Sequence, residues 1–238
     1  MVTVLTDPAH GGRWTSLRVD GREWLWHRAA PRADVRPGDP FVDAGGVEEC
    51  VPTVRGVPDH GSVWSRPWTA EGVVTPEFEL RRAFRTVGDA LVVEYRLSAA
   101  PGYRFVWAAH ALLDVSPSAR LVAPHGTPTR VYDAELRTEA WPAGLDRLGP
   151  DDGTALGAIL ACSSVRVVDG SSLSFRLEAD GQPVSVALWR NLRGWPEEDP
   201  YRSIGVEPML GRVFDRAEGD TAVVGESGEC AWRLTVSA

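Results

Sequence analysis

Apolar and polar residues alternate one by one in short runs along most of this chain, as in SLSFRLEA (172–179) and CAWRLTV (230–236). A period of two is the signature of a strand with one face buried and one face wet. Strands are expected at 78–86, 91–97, 104–113, 129–138, 158–168 and 230–236, separated by turn signals such as PG, VGD and EGD. No stretch sustains the spacing of a long amphipathic helix, although the apolar run 155–162 fits either a helix or a buried strand on periodicity alone. Many short strands without alternating helices predict an all-β sandwich or barrel.

Two dipeptides predict hairpins. Asp20-Gly21 has the residue types of a two-residue type I′ turn, which pairs Val19 with Arg22 and Leu17 with Trp24 and puts Leu17, Val19, Trp24 and Trp26 on one side. Asp180-Gly181 repeats the logic, pairing Ala179 with Gln182, Leu177 with Val184, Phe175 with Val186 and Leu173 with Leu188. The 24 Gly and 18 Pro fall as punctuation between runs rather than pooling into a linker, so residues 1–238 are expected to form a single domain.

Charge narrows the chemistry. All 25 cationic residues are Arg, against 33 acidic ones, for a net charge of −8. Without Lys there is no side-chain Schiff base, pyridoxal anchor or P-loop lysine, and the acidic balance gives no footprint for nucleic acid. Cys50, Cys162 and Cys230 are odd in number and far apart, which supports neither a disulfide framework nor a zinc knuckle and fits a reducing compartment. The first residues, MVTVLTDPAHGGR, lack a cationic flank followed by an apolar run, and no apolar stretch is long enough to span a bilayer as a helix. A cytoplasmic protein with no membrane partner is the expectation.

Nucleophile-elbow, zincin, dinucleotide and EF-hand motifs are all absent. Glu48 and Glu49 suggest a glycosidase pair, but neighbours on a strand point to opposite faces and cannot flank one bond. His110 lies in the apolar run VWAAHALL, where its ring needs a hydrogen-bond partner; it reads as a core histidine or as a functional one. His60, in PDHGSVWSRPW, reads as a surface turn or as a site residue close to Arg66. Glu207 is the only acid of SIGVEPMLG, held extended by Pro208 at the end of an apolar strand. Of the ten Trp, most belong to the core; Trp64, Trp68, Trp107, Trp189 and Trp195 lie near polar candidates, and two of these five are expected to line a pocket.

In chain order, GGVEECVPT (45–53), PDHGSVWSRPW (58–68), YRL followed by WAAHALLDV (95–115) and IGVEPMLG (204–211) resemble the aldose 1-epimerase and galactose-mutarotase-like family. The resemblance implies a β-supersandwich of antiparallel sheets with a sugar cleft, and an isomerase that interconverts sugar anomers without metal or organic cofactor. It implies His110 and Glu207 as the catalytic acid and base, and His60, Arg66 and Trp68 as sugar contacts; Trp64 and Trp189, among the tryptophans near polar residues, are further substrate-binding candidates on their sequence surroundings alone. Arg66 follows His60 at a longer interval than in some relatives. A sugar-holding acid of some mutarotases has no clear counterpart, and Asn191 or Asp199 are candidate substitutes.

Chemically, anomer exchange needs a base on the O1 hydroxyl and an acid on the ring oxygen, and the two side chains end ring opening already set for reclosure. Mutual attraction across the sugar is expected to lower the pKa of the acid residue and raise that of the histidine, with burial opposing. A carbohydrate-binding protein without turnover, and another chemistry on the same fold, remain alternatives.

Overall fold

The computed structural model describes residues 1–238. Nineteen strands and two short 3₁₀ turns make up its regular structure. In chain order the strands are β1 (Val2–Asp7), β2 (Arg13–Val19), β3 (Arg22–Glu23), β4 (Val47–Cys50), β5 (Gly72–Val74), β6 (Phe78–Val87) and β7 (Ala90–Ala99). Then come β8 (Arg104–Phe105), β9 (Trp107–Leu113), β10 (Arg120–Val122), β11 (Pro128–Tyr132), β12 (Leu136–Ala140) and β13 (Ala155–Leu160). The last are β14 (Ser164–Asp169), β15 (Ser171–Glu178), β16 (Val184–Leu192), β17 (Arg202–Leu210), β18 (Ala222–Val223) and β19 (Glu229–Ser237).

Two antiparallel sheets carry the fold. The larger runs β1-β2-β4-β9-β17-β16-β13-β11-β12, with β3 added on β2, and the smaller runs β10-β14-β15-β19-β7-β6-β5. Their apolar faces meet in one continuous core that draws on residues from Val2 to Val236. The smaller sheet shows the clean alternation that two unlike environments impose: β19 buries Cys230, Trp232, Leu234 and Val236 and exposes Glu229, Ala231 and Arg233. Its outer face is a lattice of ion pairs, including Arg81 with Glu79, Arg85 with Glu94 and Arg96 with Glu229. The larger sheet differs at its centre. Every residue of β9 is buried, so this strand is covered on both faces.

The Asp20-Gly21 hairpin forms as the sequence predicts, with both residues at positive φ and Val19 opposite Arg22. The Asp180-Gly181 hairpin does not form. Leu177 pairs with Leu234 in the smaller sheet, while Val184 pairs with Leu210 in the larger, so the segment between them crosses from one sheet to the other. Alternation fixes which residues face the core, and both runs do face it, from opposite sides; it does not specify which sheet holds them. For the same reason 158–168 is two strands in different sheets, β13 and β14, while 129–138 is a hairpin of β11 and β12. The ambiguous run 155–162 is the strand β13. No helix is long and apolar enough to cross a membrane.

Candidate active site

Four adjacent strands, β4, β9, β17 and β16, hold the site at the middle of the larger sheet. Trp107, Ala109, Ala111 and Leu113 of β9 enter the inter-sheet core, so Ala108, His110 and Leu112 project to the other face. By the same parity Glu48 and Cys50 of β4, Gly205, Glu207 and Met209 of β17, and Ala187 and Trp189 of β16 share that outer face. Glu48 pairs directly with His110. Glu207 lies between the paired positions Gly205–Leu112 and Met209–Ala108, which sets it beside His110 on the other flank. The result is an acid–histidine–acid row across three strands.

His110 Nε2 and Glu207 Oε1 are 3.7 Å apart, with side-chain exposures of 10% and 4%. That separation is beyond a hydrogen bond. Glu207 has no hydrogen-bonded partner, and burial pushes its carboxyl above the usual carboxylate range, with His110 pulling the other way. The expected lowering of the acid's pKa is therefore reversed, because desolvation in the strand outweighs the nearby imidazole. Gly205 makes room for this carboxylate: a Cβ there would lie 2.6 Å from Glu207 Oε1 and 3.0 Å from Trp189 Cβ.

Glu48 is held differently. Arg32 grips it with a two-pronged contact of 2.8 and 3.1 Å, and Arg32 also donates to the Trp64 carbonyl and the His10 carbonyl. The two neighbours Glu48 and Glu49 face opposite ways, as strand geometry requires: Glu49 enters the inter-sheet core and meets Arg82, Tyr95 and Trp107. Cys50 lies on the same face of β4 as Glu48 but opposite Ala108; burial, together with Glu207 and Glu48, pushes its thiol well above the ordinary range.

His60 arrives from the loop that follows β4. The loop turns back because His60 and Gly61 both take positive φ, and Gly61 presses so closely on Val51 that a Cβ would sit 2.2 Å from the Val51 carbonyl oxygen. His60 bonds Asp59 through Nδ1 at 2.9 Å, stacks on Phe41 at 3.6 Å and meets the His110 ring edge-on at 5.1 Å. Burial lowers the His60 pKa, with His110 adding to the effect and Asp59 opposing it, so a neutral ring faces His110. Trp64 is buried beneath Phe41, edge to face at 5.0 Å, with Arg32 over its ring.

Other sequence candidates lie elsewhere. Trp68 belongs to the inter-sheet core, donates to the Val63 carbonyl and lies under the Arg82 guanidinium. Arg66 bonds the Ser62 carbonyl and lines a hollow with Thr69, Glu71 and Glu79 at the β5 edge of the smaller sheet. Trp107 is also core. Trp189 is half-buried on the outer face, donating to Ser203 at 2.9 Å, and Trp195 stands exposed against it. Asn191 is fully buried and spends its amide on the following turn, donating to the Trp195 carbonyl and accepting from the Gly194 and Trp195 amides. Asp199 is exposed on the loop beyond.

Three residues at this site give no signal in the sequence: Arg32, Phe41 and Tyr201. All three come from irregular segments, so no period marks them. Tyr201 stacks on Trp26 and donates to Asp43 at 2.6 Å, which ties the 28–45 segment bearing Phe41 to the start of β17.

Below Glu207 the outer face is closed. Val54, Val213 and Phe214 cover Cys50, Ala108, Ala187 and Met209, and the two covering loops are joined by the Val54 amide to the Phe214 carbonyl. A concavity of about 1250 Å³ lies elsewhere, on the charged outer face of the smaller sheet, where its arginines already have acidic partners. The unpaired group, Glu207, is on the other sheet, at the narrow opening it shares with His110.

No family model matches the sequence, and no curated protein does. Solved structures do match over the full chain. An Escherichia coli protein proposed to be an aldose 1-epimerase aligns with a TM-score of 0.70 at 15% identity, covering 100% of this chain and 98% of that one. A Synechocystis protein aligns at 0.69 and 16%, covering 100% and 96%. A galactose mutarotase related enzyme from Lactobacillus acidophilus aligns at 0.62 and 13%, covering 100% and 94%. The chain has the galactose-mutarotase-like fold, an all-β supersandwich of antiparallel sheets, which is the architecture the sequence resemblance implies.

Proposed function

We infer that this protein is a sugar 1-epimerase, interconverting the α and β anomers of an aldohexose or a close derivative. One observation carries the reading: His110 and Glu207 face one recess 3.7 Å apart, and the carboxylate is buried with no hydrogen bond of its own. A buried, unpaired carboxylate is costly, and a fold keeps one where a substrate completes its bonding. The two oxygens on an anomeric carbon are separated by a single atom, so two groups this close can each reach one of them within about 2.6–3.2 Å.

Glu207 takes the O1 proton as the C1–ring-oxygen bond breaks, and protonated His110 delivers its proton to the ring oxygen. The open aldehyde turns about the C1–C2 bond, and the reverse transfers close the other anomer, with no net proton exchanged. His60, neutral and fixed by Asp59, offers its free ring nitrogen to a sugar hydroxyl, and the Phe41 face packs against the sugar's C–H side. Arg32 and Glu48 hold the strand position opposite His110.

A binding protein without turnover is favoured by the placement of Arg66 and Trp68 away from the recess, which leaves fewer sugar contacts. Anomer-exchange NMR on glucose, galactose and pentoses decides between the two. Exchange above the spontaneous rate supports the epimerase; ligand shifts without added exchange support the binder and overturn the epimerase.

A further inference from the structure

The Phe214 loops close the outer face below Glu207, Phe41, His60 and Trp64 stand on the β4 side, and β16 with the turn that follows it lies on the other side. There stands Trp195, 52% exposed. Its turn is held by the fully buried Asn191, which donates one hydrogen bond to the Trp195 carbonyl and accepts two from the Gly194 and Trp195 amides, and its ring meets Trp189 edge to face at 6.1 Å. Trp189 in turn is the cross-strand partner of Gly205, diagonal to Glu207. Diagonal neighbours in a sheet are about 7–8 Å apart. Trp195 thus lies beyond Trp189 as seen from Glu207, a half-exposed aromatic on a turn tied to the sheet through Asn191.

We propose that Trp195 is the platform of a second sugar subsite, and that the substrate is a neutral reducing oligosaccharide whose terminal aldose lies at His110 and Glu207 while the next residue stacks on Trp195. This rests on the epimerase reading for the inner site. Neutrality follows from the same loop: Glu197, Glu198 and Asp199 are all exposed beside Trp195, while the nearby cations Arg193 and Arg202 are already bound to Asp151. Three adjacent carboxylates accept sugar hydroxyls and repel a phosphate.

The test uses methyl glycosides, which bind but cannot open, so affinity is read apart from turnover. By titration calorimetry, at least one of methyl β-maltoside, methyl β-cellobioside and methyl β-lactoside is expected to bind about 3- to 10-fold tighter than methyl β-glucoside, the gain that one aromatic stacking contact supplies. Trp195→Ala brings that ratio to one, and Trp195→Phe keeps part of it. Glucose 6-phosphate binds more weakly than glucose. No gain for any of the three disaccharides, a gain that survives Trp195→Ala, or tighter binding of the phosphate overturns the proposal. A Trp195-dependent gain without catalysed anomer exchange of free sugars keeps the subsite and discards the epimerase.

Discussion

Glu49 and Glu207 are buried carboxylates of one sheet, on strands separated only by β9, and they live in opposite circumstances. Glu49 faces the inter-sheet core and takes hydrogen bonds from Arg82 at 2.6 Å, Tyr95 at 2.9 Å and Trp107 at 2.8 Å. Arg82 is itself sandwiched by Trp68 and Phe84. Glu207, on the outer face, has an imidazole at 3.7 Å and nothing else. Equal burial therefore does not mean equal purpose. A carboxylate whose bonds are filled from both sheets holds the sheets together, while one left unfilled at a recess is available to a ligand.

The comparison is sharpest where each acid is neutralised in place. Glu49→Gln strands the Arg82 guanidinium in the core and should cost about 3–5 kcal/mol in chemical denaturation. Glu207→Gln should leave stability equal or higher and lower the anomer-exchange rate by about 10² to 10⁴, as should His110→Asn. A Glu49 variant of native stability, or a folded Glu207→Gln protein with native turnover, would break the contrast.

Gly205→Ala probes the same acid without touching it. The added methyl displaces the carboxylate, and a misplacement of this order is worth about 10²-fold in rate. Thermal stability measured alongside separates this displacement from a general loss of fold; a native rate would mean that Glu207 does not need its present position.

Acidity sharpens it further. The native Glu207 pKa is raised, so the folded protein keeps a proton over an interval in which the unfolded chain has lost it. Stability then falls as pH rises from about 4.3 through the native value, and Glu207→Gln removes that part of the slope. The acid limb of the rate profile should accordingly lie above about 4.3. A limb at or below that value, or a stability slope unchanged in Glu207→Gln, would contradict the raised value.

The smallest effect is expected at Arg66. It lines the hollow at the β5 edge, so Arg66→Ala should leave both apparent affinity and maximal rate close to native. A marked rise in apparent KM would bring Arg66 back to the recess.

Strand positions such as 78–86, 91–97 and 230–236 were legible because one-sided burial writes itself into the sequence as alternation. Sheet membership was not: residues 171–178 and 184–192 carry the same pattern and a turn between them, yet face each other across the core. The site divides in the same way. His110 and Glu207 stand out as polar residues in apolar runs, but their adjacency depends on a register between strands nearly a hundred residues apart, and it was anticipated through the family resemblance. Asn191 is a candidate substitute for a sugar-holding acid only through the family resemblance; in the fold its amide is taken up by the turn of Trp195. Glu48 was visible only as half of a pair that geometry forbids, since Arg32 comes from a segment without period.

The loops joined at Val54 and Phe214 carry a topological consequence. They make the recess blind immediately below Glu207, with Met209 already sealed beneath them. A glycan chain cannot continue past the His110–Glu207 pair on that side, so an oligosaccharide bound there has to leave the site in another direction.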